Sequence, residues 1–160
     1  MYRYALATLV FAGVTISGAA CAETIKPVKA SRSDLAGAIF ARADAARKAD
    51  ADERSADVVT FTSTDAAYQT GVYRSGPAHE DIAGPQGLPY NEFLYFLSGS
   101  VKLTSSDGSV MVVKTGEAVT LPKGWTGQFD TRGYTKLYVT YSPDDRSRPS
   151  DTSAHPNAGE

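Results

Sequence analysis

Between Asp57 and Tyr141 the chain is written as short runs of β-branched, aromatic and aliphatic residues, separated by glycine, proline and small polar residues. That spacing restricts the fold more than any other feature, because a series of short strands at regular intervals closes as an all-β sandwich or barrel. The runs predicted as strands are 58–62, 68–74, 93–97, 101–104, 110–113, 118–121, 125–129 and 134–141. Asp107-Gly108, between two of them, is predicted to form a tight hairpin, since a primed turn needs positive φ. No internal repeat is visible.

Two flanking regions differ in character. Ser33 to Asp52 is rich in alanine and charge, with Leu35, Ile39, Ala43 and Ala46 on one helical stripe. Ser33 is placed to cap it, and Asp44 and Lys48 lie one turn apart on the exposed side. A short N-terminal helix packed on the barrel or on a second subunit is therefore expected. After Ser142 the chain is polar to Glu160, with too little apolar surface to offset its ordering entropy. His155 falls in this tail and is expected to be solvated.

The first 22 residues have the pattern of an export signal: one positive charge at Arg3, an apolar run from Ala5 to Ile16, and small residues at Ala20-Cys21-Ala22. The competing reading is an N-terminal core helix. The run is shorter than the roughly 20 residues that span a bilayer, so no membrane span is expected. Cys21 is the single cysteine, which leaves the folded part without a disulfide or thiol nucleophile. Cys21 also stands where a bacterial lipoprotein signal carries its lipidated cysteine, although Gly18 replaces the usual leucine. A periplasmic or secreted protein is expected, divided into a signal (1–22), an extension with the helix (23–56), the β domain (57–142) and the tail (143–160). A net charge of −2 with interspersed signs argues against nucleic acid as a partner.

The most specific pattern lies between Tyr90 and Gly127. Six residues separate Glu92 from Gly99, and Gly116, Pro122 and Gly124 keep the spacing Gly-x5-Pro-x-Gly. Together with Tyr68–Tyr73, Leu103–Gly108 and Thr135–Tyr138, these elements resemble the small cupins grouped with ureidoglycine aminohydrolase and the ethanolamine-utilization cupins. The resemblance implies a double-stranded β-helix, or jelly-roll barrel, often a homodimer, with any ligand inside. Metal-using cupins converge three imidazoles and a carboxylate, a donor set suited to divalent first-row ions. In this chain the corresponding imidazole positions hold Gln86 and Leu88 (or Pro85 and Gly87) and Gly127. No cofactor is expected; a divalent ion would need a substitute ligand, for which His79, in a loop His79-Glu80-Asp81, is the one cluster available and a poor one.

Without a metal, the groups facing the cavity decide the chemistry. Strand alternation puts Glu92, Leu94 and Phe96 on one face, and Tyr134, Lys136, Tyr138 and Thr140 on one side of the last strand. The family comparison makes the first of these faces the inner one. Glu92 and Lys136 are the predicted reactive or binding pair, tolerable inside only as partners of each other or of a ligand. Tyr73, Phe129 and Tyr138 are predicted to line the cavity, and Trp125, after the Pro122-Lys123-Gly124 turn, to sit near its mouth. The expected function is binding of a small polar or carboxylate-bearing molecule without metal. The alternative is a ureidoglycine-aminohydrolase-like enzyme or another lyase, hydrolase or isomerase, with Glu92 as general base and Lys136 steadying negative charge.

Overall fold

Alternation of inward apolar and outward polar residues organises the computed structural model, which describes residues 25–47 and 55–142. The predicted signal, Cys21, residues 48–54 and the polar tail with His155 lie outside the described residues. One helical turn, α1 (Arg32–Leu35), is followed by a 3-10 turn at Ala38–Ala41 and by eight strands. These are β1 (Ala46–Arg47), β2 (Ala56–Thr62), β3 (Tyr68–Ser75), β4 (Ala78–Ile82), β5 (Asn91–Ser105), β6 (Val110–Lys114), β7 (Ala118–Leu121) and β8 (Gly127–Tyr141).

The all-β jelly-roll expectation is met, and its centre is one long antiparallel pair. β5 and β8 each run 15 residues, so the expected runs 93–97 and 101–104 are one strand, as are 125–129 and 134–141, with Trp125 left in the preceding turn. Irregularities around Leu97 and Ser100 bend β5 where it passes Tyr134 and Thr131 of β8. On one side of the bend the order is β7, β5, β8, β3, β2, β1; on the other it is β6, β5, β8, β4. The two half-sheets enclose the main core of Leu94, Phe96, Val101, Leu103, Val113, Phe129, Tyr134 and Tyr138. Each such side chain taken fully from water contributes about 1.5–3 kcal/mol.

Three local expectations need correction. Over the described part of the stretch expected from Ser33 to Asp52 there is no continuous helix: α1 ends after one turn before Gly37, whose φ of 117° suits glycine, and Ser31 rather than Ser33 caps it. Ser31 Oγ accepts from Asp34 N–H and the Asp34 carboxylate accepts from Ser31 N–H, a reciprocal capping box. Ile39 and Phe40 are adjacent yet both buried against Ala56, Val58 and Val72, and this sheet packing overrides the alanine-rich propensity. Asp44 pairs with Arg42, and Lys48 lies outside the described residues.

The second correction concerns His79-Glu80-Asp81, which is not a loop. It lies in β4 and pairs with β8 at Phe129 and its neighbours. The third is the turn at Asp107-Gly108. The hairpin forms, but positive φ occurs at Gly108 alone, and Ser105 N–H donates to the Ser109 carbonyl across a longer loop.

Gly99 marks the bend. Its φ is +75° and a Cβ there would run into the Gly133 carbonyl oxygen, whereas Gly108 has a similar φ and open space around it. Gly108→Ala is therefore expected to cost about 1 kcal/mol and Gly99→Ala clearly more, by about 2 kcal/mol or above. Denaturant unfolding of both variants checks this; equal losses would mean that the bend does not need close backbone approach.

Candidate functional site

The register of β5 on β8 places Glu92 opposite Thr140 and Phe96 opposite Lys136, so both ionisable side chains project into the barrel. Lys136 Nζ donates to Glu92 Oε1 at 3.1 Å, with side chains 1% and 3% exposed. The two predicted residues are thus brought together by cross-strand geometry, although 44 residues apart in sequence. A buried charge of either sign is costly alone, and the contact neutralises both.

Aromatic rings complete the surroundings of the ammonium. Lys136 Nζ lies 5.6 Å from the ring centres of Tyr73 and Tyr134 and 5.7 Å from that of Phe129, within cation–π range of all three. Phe96 meets Tyr134 edge-on at 5.3 Å, which fixes one wall of the box. Burial pushes the Tyr73 phenol up to about 12, helped by nearby Glu80 and Asp57 and opposed by hydrogen bonding to Ser55. Burial likewise raises Tyr134 well above the usual phenol range. Both hydroxyls therefore stay protonated at neutral pH and serve as donors, not bases.

The other predicted residues take different places. Tyr138 is buried beside Leu94, and its hydroxyl donates to Asp57 Oδ1 at 3.0 Å. Gly71 faces it across the strands, and a Cβ there would collide with the Tyr138 ring. Trp125 is half-buried and donates from Nε1 to Ser105 Oγ at 3.1 Å, so its ring is tied under the turn. Sequence reading missed Asp57, Glu80 and the role of Tyr134. Tyr134 could have been found from the two-residue alternation with Lys136, and Glu80 from its place between outward His79 and Asp81 once β4 is recognised as a strand.

His79 is on the outer surface of β4, 55% exposed, between Asp130 and Asp81. Hydrogen bonding to Asp130 raises its imidazole above the ordinary range and lowers the Asp130 carboxyl. Glu92 is inside the barrel, so His79 is not brought to it.

The metal set of the family does not fit these residues. Leu88, at one imidazole position, is buried in the apolar core. At Gly127 a Cβ would meet the Thr104 carbonyl oxygen and come 2.7 Å from Trp125 Cζ2, which leaves no room for an imidazole. Glu92 already faces an ammonium. Among the described residues, no group of three histidine, cysteine or acidic side chains could hold an ion.

The pair has a measurable consequence. Lys136→Met alone leaves the Glu92 carboxylate buried and uncompensated, an expected loss of about 3–5 kcal/mol, while the Glu92→Gln/Lys136→Met double variant should lose less than that single. Urea unfolding of the singles and the double checks it; strictly additive losses would show that the two groups do not interact.

Comparison with known proteins shows what this arrangement resembles. Residues 84–138 match the EutQ-like cupin domain. A solved structure from Rhizobium leguminosarum bv. viciae 3841 is similar at 21% identity and a TM-score of 0.51, covering 74% of this chain and 99% of that one, which supports the fold. A Salmonella typhimurium LT2 protein described as ethanolamine utilization protein Q is 23% identical over 56% of this chain and 71% of its own, with a TM-score of 0.47. The Clostridium difficile EutQ protein is 21% identical over 62% and 78%, also at 0.47. No curated protein matches the chain. The jelly-roll built on the β5–β8 pair is thus a cupin-type fold, and its segment 84–138 is similar to cupin domains of EutQ type.

Proposed function

We propose that this is an exported, metal-independent binding cupin whose barrel takes a small zwitterionic molecule between Lys136 and Glu92. The observation that carries the reading is the buried Lys136–Glu92 contact inside an aromatic box. A carboxylate entering beside Lys136 and an ammonium beside Glu92 exchange one internal ion pair for two, with no change in net buried charge. A simple anion would add an uncompensated charge to a low-dielectric interior and is disfavoured. Export rests on the amino-terminal signal pattern of residues 1–22.

Both groups are shielded from water, so entry requires a local opening, which this reading places where the segment around Leu88 meets the Pro122–Trp125 turn. Two backbone hydrogen bonds hold them, Leu88 N–H to the Trp125 carbonyl and Gly124 N–H to the Leu88 carbonyl. Opening costs about 0.5–1.5 kcal/mol net for each of these bonds and about 1.5–3 kcal/mol for exposing the Leu88 side chain, which is buried in the core. The catalytic reading, with Glu92 as general base and Lys136 steadying negative charge in a ureidoglycine-aminohydrolase-like reaction, needs the same opening. It is distinguished by turnover.

Thermal unfolding with neutral amino acids, ureido acids and simple carboxylates provides the test. A zwitterionic ligand at 100 times its dissociation constant should stabilise the fold by about 2.7 kcal/mol, and Glu92→Gln and Lys136→Met, each compared with its own unliganded transition, should lose that response. No stabilisation by any zwitterion, or an undiminished response in both variants, contradicts the proposal.

A further inference from the structure

Ser142 ends the row of inward residues that begins on β8, and it breaks the pattern of satisfied groups there. Its N–H donates to the Ala67 carbonyl at 2.8 Å, which carries the register of Tyr68 on Tyr141 one residue further. The alternation is kept: Tyr138 and Thr140 are buried, Tyr141 is 48% exposed, and Ser142 is 1% exposed. The Ser142 hydroxyl oxygen is itself buried, and among the described residues it has no hydrogen-bond partner. A hydroxyl taken out of water without a partner is costly, so such a group in a native fold needs a reason.

Its position supplies one. Thr140 stands opposite Glu92, so Ser142, two residues on, is the diagonal neighbour of Glu92, about 7–8 Å away between α-carbons. Lys136 lies on the other side of Thr140 and reaches the same carboxylate. The polar groups of Lys136, Glu92 and Ser142 therefore follow one another along one inner face. The buried residues that flank Ser142 by register, Tyr90, Thr140 and Ala67, bring no formal charge.

We infer that Ser142 Oγ is a third anchor of the Lys136–Glu92 site, selecting zwitterions that carry an uncharged hydrogen-bonding side chain; the inference rests on the zwitterion reading above. The ligand carboxylate and ammonium take Lys136 and Glu92, and its side chain runs along the inner face to the hydroxyl. A hydroxyl both donates and accepts, so it pairs with a carboxamide or with another hydroxyl. A charged side-chain end would arrive without a counter-charge, and an apolar one would leave Oγ buried and unpaired. The extended side chain of glutamine is of a length to cover the interval from Glu92 to Ser142.

Calorimetric titration with L-glutamine, L-norleucine, L-lysine and L-glutamate tests the inference. The wild-type protein should bind glutamine at least tenfold more tightly than norleucine, with lysine and glutamate both weaker than glutamine. Ser142→Ala should bind glutamine and norleucine alike, through lost affinity for glutamine only. It should also melt no lower than wild type, because the hydroxyl that it removes is unpaired. Ser142→Cys, nearly the same size with a weakly hydrogen-bonding thiol, gives the same reading if the alanine variant does not fold. The inference is overturned by a wild-type protein without preference for glutamine, by a preference that survives in both variants, or by a Ser142→Ala melting temperature clearly below wild type. In each of those cases norleucine binding that is lost in Glu92→Gln and Lys136→Met keeps the zwitterion reading standing. Failure of all four amino acids to bind overturns both together.

Discussion

The contact between the Lys136 ammonium and the Glu92 carboxylate sets the terms for the rest of this barrel. Each charge would be intolerable alone at that depth, and each is supplied by a different strand of the central β5–β8 pair. A one-residue slip of that pair would turn one charge outward and leave the other buried, so the contact and the register enforce each other. The rings of Tyr73, Phe129 and Tyr134 then surround the ammonium on the inside of the barrel.

Close backbone approach is the second constraint, and it works through the absence of side chains. Gly99 lets β5 bend past β8, Gly71 admits the Tyr138 ring, and Gly127 lies too near Thr104 and Trp125 for any larger residue. The last of these links fold to chemistry. The position that would supply an imidazole is sterically closed in this chain, and Leu88 fills another such position with apolar bulk.

Much of this was legible in the sequence because alternation and turn residues act locally. Counting in twos put Glu92 and Lys136 each on one face of its strand, the family resemblance marked the face of Glu92 as inner, and their encounter needed the pairing of the two strands. β4 was not legible: His79-Glu80-Asp81 is polar, and it becomes a strand by hydrogen bonding to β8, a partner nearly 50 residues away. The N-terminal helix was misread because propensity favours helix in an alanine-rich stretch, whereas burial of both Ile39 and Phe40 on the sheet requires a tighter turn.

Nitrogen-15 NMR of lysine side chains tests the central claim most directly, because it observes the Lys136 ammonium itself. A slowly exchanging ammonium resonance, shifted by the surrounding rings, lost in Lys136→Met and unmoved by added zinc or nickel, is the result expected of a buried cation paired with Glu92. An ammonium that exchanges as fast as those of surface lysines, or one displaced on adding either metal, would contradict the account.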